Sequence, residues 1–352
     1  MQEDNEFRVV IKSTKQGEEA VPAVIFADYI RAIQNIAYVA GDYFWKNPHR
    51  KSGDFPKKVK DNCTLVFRDL KIGSIDATMS VQPRNHTLFK MDSIGMQAFD
   101  LIRETILVVN SENNINDKLF ETIPDEFRNS RILKEMDKIW PDESSGYTIE
   151  MKYKNSEPIS FSPKRKSMIQ QANKKKPMKY SAEIYGRVVD VRVDNKQKFE
   201  LNTTIGVVEG QYDIQQADLF KSLLGSFVKI SGVVVEKGNK KTITLNSADK
   251  ESIVRAESIP LNKLTTGPGD PIDLTETLMI DVEWDTEEKE FILTNEQYNL
   301  LAVADSLKKG MKEIENGMLF LRDEYLREDD ANLTKGARVL KSRLDALFCN
   351  GE

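Results

Sequence analysis

One stretch limits the fold more than any other: Ile75, Ala77, Met79 and Val81 are apolar, while Ser74, Asp76, Thr78 and Ser80 alternate with them. Successive side chains of a strand point to opposite faces, so this strand buries one face only and needs a second layer to cover it. The covering layer is visible upstream. Phe26, Ile30, Ile33, Ala37, Ala40 and Phe44 recur at helical spacing and predict a long helix with one apolar stripe. One-faced strands and one-striped helices over residues 1–153 make this region an α+β domain.

The rest of that domain follows the same pattern. Phe7–Ile11 reads as its first strand, and Asn47–Lys60 as a polar loop rich in Pro, Gly and Lys. Cys63, Leu65 and Phe67 alternate in a strand that turns at Gly73 into the one above. Helices are expected over about Ser93–Val109 and Asp125–Trp140, the second stopped by Pro141, and Tyr147–Tyr153 is a last strand. At 352 residues the chain is long enough for two or three domains, and its 39% hydrophobic and 30% charged residues suit packed cores under a solvated surface.

Residues 180–250 read differently. Ala182–Val193, Lys198–Asn202 and Gly206–Gln211 are strands, Ile214–Leu224 has helical spacing, and Ser226–Glu236 and Lys241–Asn246 are strands again. The order β-β-β-α-β-β resembles an OB-fold, a small five-stranded barrel with a helix between its third and fourth strands. Gly186 and Gly232 suit the sharp bends of such a barrel.

Ser252–Pro271 reads as a connector ending in Thr-Thr-Gly-Pro-Gly-Asp-Pro, and residues 272–352 form a third module. Strands are expected over Leu278–Trp284, Glu290–Leu293 and Tyr298–Val303. Asp305 or Ser306 caps a helix carrying Leu307, Met311, Ile314, Met318, Leu321 and Tyr325, and Thr334 caps a last helix with Ala337, Leu340, Leu344 and Leu347. The β-β-β-α run resembles the antitoxin half of a HicB-type toxin–antitoxin pair, and departs from it by continuing into a second helix. The resemblance implies a protein-binding unit without catalytic residues, in a prokaryotic defence or toxin–antitoxin setting.

Charge is placed unevenly along the chain although the net charge is only −5. Residues 154–179 read as a basic linker broken by Pro158, Pro163 and Pro177, with Lys164, Arg165, Lys166, Lys174, Lys175, Lys176 and Lys179 and no acid from Pro158 onward. Clustered cations neutralise phosphates and release counterions. The run leads into the barrel-like segment, whose Tyr185, Phe199 and Tyr212 are candidate stacking faces for unpaired bases, with Phe220 and Phe227 better suited to the core. The alternative is a solvated linker kept extended by its charge. From Ala256 to Leu300 there are eleven acids against two lysines, a candidate docking surface for a basic partner.

Several chemistries lack raw material. Cys63 and Cys349 stand alone, and His49 and His86 lie in polar stretches, so a cysteine zinc site, a disulfide framework and a histidine triad are not expected. Gly267-Pro268-Gly269-Asp270 lacks the Gly-Lys-Ser/Thr of a phosphate loop. Pro141-Asp142 followed by Glu150-Met151-Lys152 resembles the PD-(D/E)xK pattern of metal-dependent nucleases, which implies Asp142 and Glu150 as metal ligands and Lys152 as positioning the attacking water. The gap is short, Asp142 follows a helix rather than lying on a neighbouring strand, and ordinary alternation places Glu150 and Lys152 on the solvated face of one strand. The acidic start of the chain shows no signal-peptide pattern and no apolar run reaches the ~18 residues of a membrane span, so a cytoplasmic location without membrane contact is expected.

The sequence therefore predicts a multi-domain α+β protein with no cofactor, acting as a non-enzymatic accessory or regulatory subunit. Its expected partners are DNA or RNA, single strands included, at the basic run and barrel, and a protein at the acidic C-terminal unit. A PD-(D/E)xK nuclease and a pure protein-interaction scaffold are the alternatives.

Overall fold

A computed structural model describes residues 6–14, 20–48, 53–71, 75–82, 94–153, 156–174, 177–194, 197–245, 252–265 and 270–348. The expected turns at Gly73 and Gly267–Gly269, together with His49, His86, Lys175, Lys176 and Cys349, lie outside these residues. The chain divides into two compact units, Met1–Lys179 and Tyr180–Glu352.

The first unit is built on strands β1 (Glu6–Ser13), β2 (Thr64–Lys71), β3 (Ile75–Gln82), β4 (Tyr147–Tyr153) and β5 (Ile159–Ser160), paired antiparallel in the order β2-β3-β1-β4-β5. Register places the apolar alternates on one face: Val9 lies opposite both Ala77 and Met151, and Ile11 opposite both Ile75 and Ile149. Helices α1 (Ala23–Phe44), α3 (Ile94–Ser111) and α5 (Glu126–Ile139) share one buried core with that face, joined by the shorter α2 (Lys57–Asn62), α4 (Ile115–Thr122) and α6 (Arg165–Ala172). This is the α+β layering that the alternation demanded. Asp125 caps α5 by accepting from the backbone N–H groups of Phe127 and Arg128 at 2.9 and 3.3 Å. Arg128 then turns inward and donates to Asp42 at 2.7 Å, Asp125 at 2.5 Å and the Asn47 carbonyl at 2.7 Å, all of them buried. This charged lock ties the end of α1 to the start of α5.

The segment expected to be a linker belongs to this core. Ile159, Phe161, Ile169 and Ala172 are buried in it, and the Phe161 ring stacks on Trp140 with centroids 4.3 Å apart. Its polar and basic composition pointed to a loop, but four apolar residues at the right spacing outweigh composition once a core is there to receive them.

The second unit opens with β6 (Met178–Arg192), β7 (Lys198–Thr203) and β8 (Gly206–Gln211), then α7 (Ala217–Leu223), β9 (Phe227–Lys237) and β10 (Lys240–Leu245). β6 pairs with β7 and β9, β7 with β8, β8 with β10 in parallel, and β10 with β9, which closes a five-stranded barrel. The closure is consistent with an OB-like barrel. Gly186 is required by close approach, since a Cβ there would stand 2.6 Å from the Asn202 carbonyl oxygen, and Gly232 faces the Thr244 carbonyl in the same way. The barrel interior is aromatic: Phe220 of α7 stacks between Phe199, at 4.8 Å, and Tyr212, at 4.4 Å.

The expected connector supplies two more strands, β11 (Ile253–Arg255) on β9 and β12 (Ser258–Leu264), so the last sheet has four strands rather than three. Its antiparallel order is β12-β13-β14-β15, with β13 (Ile272–Asp285), β14 (Glu290–Asn295) and β15 (Leu300–Ala304). Helices α8 (Leu307–Arg327) and α9 (Lys335–Phe348) cover its inner face through Met311, Ile314, Met318, Leu344 and Leu347. Barrel residues Tyr185 and Phe227 pack against this same core, and the Arg187 guanidinium lies 4.2 Å above the Trp284 ring. No described helix is long and apolar enough to cross a membrane.

Candidate nucleic-acid interface

The structure divides the predicted cationic residues into two kinds. Lys164 and Lys174 are exposed. Arg165 is buried, donates to the Val109 carbonyl at 2.8 Å and to the Glu112 carbonyl, and loses basicity through desolvation. It fastens α6 to the end of α3. Lys166 donates to the Asp137 carbonyl and pairs with its carboxylate at 3.2 Å. Lys179 lies 3.9 Å from both Asp117 and Glu126 and 4.4 Å from the centre of the Phe120 ring. Three of the seven predicted cations thus have partners within their own unit.

The predicted stacking residues are placed inward. Phe199 and Tyr212 are buried on either side of Phe220, and the Tyr212 hydroxyl donates to the Arg192 carbonyl at 2.7 Å. Neither offers a ring face to a base, because a small barrel must fill its interior with side chains. Tyr185 is half-buried against the C-terminal core.

The nuclease residues lie on two neighbouring segments, Asp142 in the turn after α5 and the other two on β4. Glu150 and Lys152 share the outer face of β4, opposite Val10 and Arg8 of β1. The Asp142 carboxylate accepts from the Ser144 N–H and hydroxyl at 2.8 and 2.7 Å and from the Ser145 hydroxyl at 3.1 Å. These bonds close a turn and, the Ser144 hydroxyl first, hold the Asp142 pKa below the usual carboxylate range. Asp142 lines a shallow depression with Lys164 and Lys166, without Glu150 or Lys152. Among the described residues no three His, Cys, Asp or Glu side chains are grouped to hold a metal ion.

A groove outside the predicted set lies on the barrel wall. Lys198, Glu209, Gln211, Lys240, Thr242 and Thr244 project outward from β7, β8 and β10 and line a volume of about 290 Å³. Lys198 opens β7 just after the first barrel loop, and Lys240 opens β10 just after the loop at Gly238. Glu209 lies between them, 3.0 Å from the Lys240 ammonium and 3.9 Å from that of Lys198. The hydrogen bond from Lys240 holds the Glu209 carboxyl below its ordinary range, so it is ionised at neutral pH. Register sets Asp190, Glu200 and Glu209 side by side across β6, β7 and β8, and Arg192 beside Lys198. The wall therefore carries an acidic row next to a basic one.

The signal that could have placed Lys198 outward is the alternation along its strand, where Phe199, Leu201 and Thr203 are buried. What sequence alone did not supply was the parallel pairing of β8 with β10, which sets Glu209 opposite Thr242 and Gln211 opposite Thr244. Comparison of the chain with protein-family models, with curated proteins and with solved structures gives no match.

Proposed function

We propose that the protein is a non-enzymatic binding subunit that carries a nucleic-acid strand in the Lys198–Lys240 groove of its barrel and meets a protein partner through its acidic C-terminal sheet. The observation that carries this proposal is the position of the groove. OB-like barrels bind strands across their second and third strands, between the loop after the first strand and the loop before the fifth. Lys198 and Lys240 stand at those two loops. With no exposed aromatic lining it, the groove holds phosphates and sugar hydroxyls through ammonium, hydroxyl and amide groups rather than stacking bases. Lys164 and Lys174 of the first unit are exposed and add general attraction. The acids Asp281, Glu283 and Asp285 alternate along the outer face of β13 and form the partner surface. An antitoxin-like regulatory role for the C-terminal unit is part of the same proposal.

The test is fluorescence anisotropy with labelled single-stranded DNA and RNA across a salt series, on the wild type and on Lys198→Ala/Lys240→Ala. Each lost phosphate contact reduces the slope of log K against log salt by about 0.7. A shallower slope in the variant supports the groove, and no binding by the wild type at low salt refutes it. The acidic row Asp190–Glu200–Glu209 favours a second reading, a protein scaffold whose barrel wall takes a polar protein surface. That reading predicts no nucleic-acid binding and a protein complex weakened by Lys240→Ala.

A further inference from the structure

With the barrel groove as the proposed strand site, on which this rests, we infer that the Glu209 carboxylate accepts a hydrogen bond from a ribose 2′-hydroxyl and so selects RNA over DNA. A groove that serves phosphates alone gains nothing from a carboxylate at its centre, because that anion repels every strand alike. Glu209 nevertheless stands there. Its Oε2 atom lies 3.0 Å from the Lys240 ammonium and 3.9 Å from that of Lys198, and its side chain is 34% exposed. Both distances run to the same oxygen, so the two ammonium groups converge on it, close enough to hold successive phosphates of one strand. Register fixes the order across the wall. Lys198 lies level with Gln211 and Thr244, Glu209 with Thr242 comes next, and Lys240 is the following outward residue of β10. A strand held by both lysines therefore crosses Glu209 with the sugar that joins the two phosphates.

Hydrogen-bonding capacity then separates the two sugars. Lysine ammonium groups only donate, and the Thr242 and Thr244 hydroxyls and the Gln211 amide both donate and accept. Of the groove's polar side chains among the described residues, only the Glu209 carboxylate accepts without donating. The phosphates and sugar of a DNA strand carry acceptors but no donor within the strand, so DNA meets the repulsion of Glu209 with nothing to offset it. RNA adds one donor per nucleotide, the 2′-hydroxyl by which proteins distinguish the two. Pairing of a carboxylate with a ribose hydroxyl is the same chemistry that holds the ribose in dinucleotide-binding folds. Glu209 is partly exposed, so the bond replaces one to water and its net effect is about three- to tenfold in affinity.

Anisotropy titrations of the full chain at low salt test this with a short oligouridine strand, its deoxyuridine counterpart and its 2′-O-methyl form. The bases are the same in all three, and the 2′-O-methyl strand keeps the oxygen but loses the donor. The wild type should bind the ribose strand about three- to tenfold more tightly than either of the others. Glu209→Ala should bind all three equally. Glu209→Gln keeps an acceptor oxygen, so it should retain a smaller ribose preference while binding every strand more tightly. Unchanged thermal unfolding verifies that the variants are folded, and the 2′-O-methyl strand tests the bond in the wild type alone. Three results would overturn the inference and leave the groove as a strand site: equal binding of the ribose and deoxyribose strands, a 2′-O-methyl strand bound as tightly as the ribose strand, or a ribose preference that persists in Glu209→Ala. No binding of any strand by the wild type would overturn both.

Discussion

Replacing Glu209 by Gln should tighten nucleic-acid binding at the barrel groove. The carboxylate is shared by Lys240 at 3.0 Å and Lys198 at 3.9 Å, so an incoming phosphate must compete with it for the same ammonium groups. A phosphate oxygen bonded to Lys240 would stand about 5 Å from Glu209, given charge-assisted bonds of about 2.8 Å at tetrahedral angles on the ammonium. Two like unit charges at that distance repel by about 0.8 kcal/mol in a water-like dielectric. The Glu209 side chain is 34% exposed, so the water-like value is the lower bound. The expected gain is at least about fourfold in affinity at low salt, shrinking as salt screens the pair. Because Lys240 depresses its pKa, Glu209 stays ionised and the gain should be flat from about pH 5 to 8. Only as pH falls through the depressed value does the wild type protonate and approach the variant. Anisotropy titrations of wild type, Glu209→Gln, Lys198→Ala/Lys240→Ala and the triple variant measure the coupling. Unchanged or weaker binding in Glu209→Gln, or the same gain with both lysines already removed, would refute a shared phosphate site.

Other consequences concern stability. Arg128→Met removes the guanidinium that pairs with the buried Asp42 and Asp125 and should cost about 3–5 kcal/mol in urea unfolding. Phe220→Ala empties the centre of the barrel's aromatic stack and should cost about 3–5 kcal/mol, read as a lower midpoint for the second unit. Arg165→Ala should lose at least about 1.5 kcal/mol of stability with little change in strand affinity, while Lys164→Ala should leave stability alone. Arg8 lowers the Asp76 pKa through a side-chain hydrogen bond, so the pair's contribution is present above the ordinary carboxylate pKa and lost as pH falls through the depressed one. Asp76→Asn should therefore flatten the acid limb of the stability–pH curve below about pH 4.

The parts of the fold legible in the sequence are those set by period alone. The one-sided strand at Ile75–Val81, the stripe from Phe26 to Phe44 and the barrel's element order all follow from which residues must be hidden together. Where composition and packing pull apart, packing decides. Residues 154–179 look like a linker because they are basic and hold prolines, yet Ile159, Phe161 and Ile169 find the first unit's core, and Arg165 finds carbonyls at the end of α3. The candidate site was harder to read for a related reason. Phe199 and Tyr212 have the chemistry of a stacking platform, but strand alternation places them with Leu201 and Val208 inside the barrel. The groove's own residues come from three strands, two of them joined by a parallel pairing that no local pattern encodes.

The central claim is the place of binding, and amide chemical-shift mapping tests it most directly. A short unlabelled single strand is added to isotope-labelled protein at low salt, and shifts are followed residue by residue. Binding at the groove predicts shifts clustered at Lys198, Glu209, Gln211, Lys240, Thr242 and Thr244, reversed by added salt. Shifts confined to Lys164 and Lys174, or none at all, would contradict it.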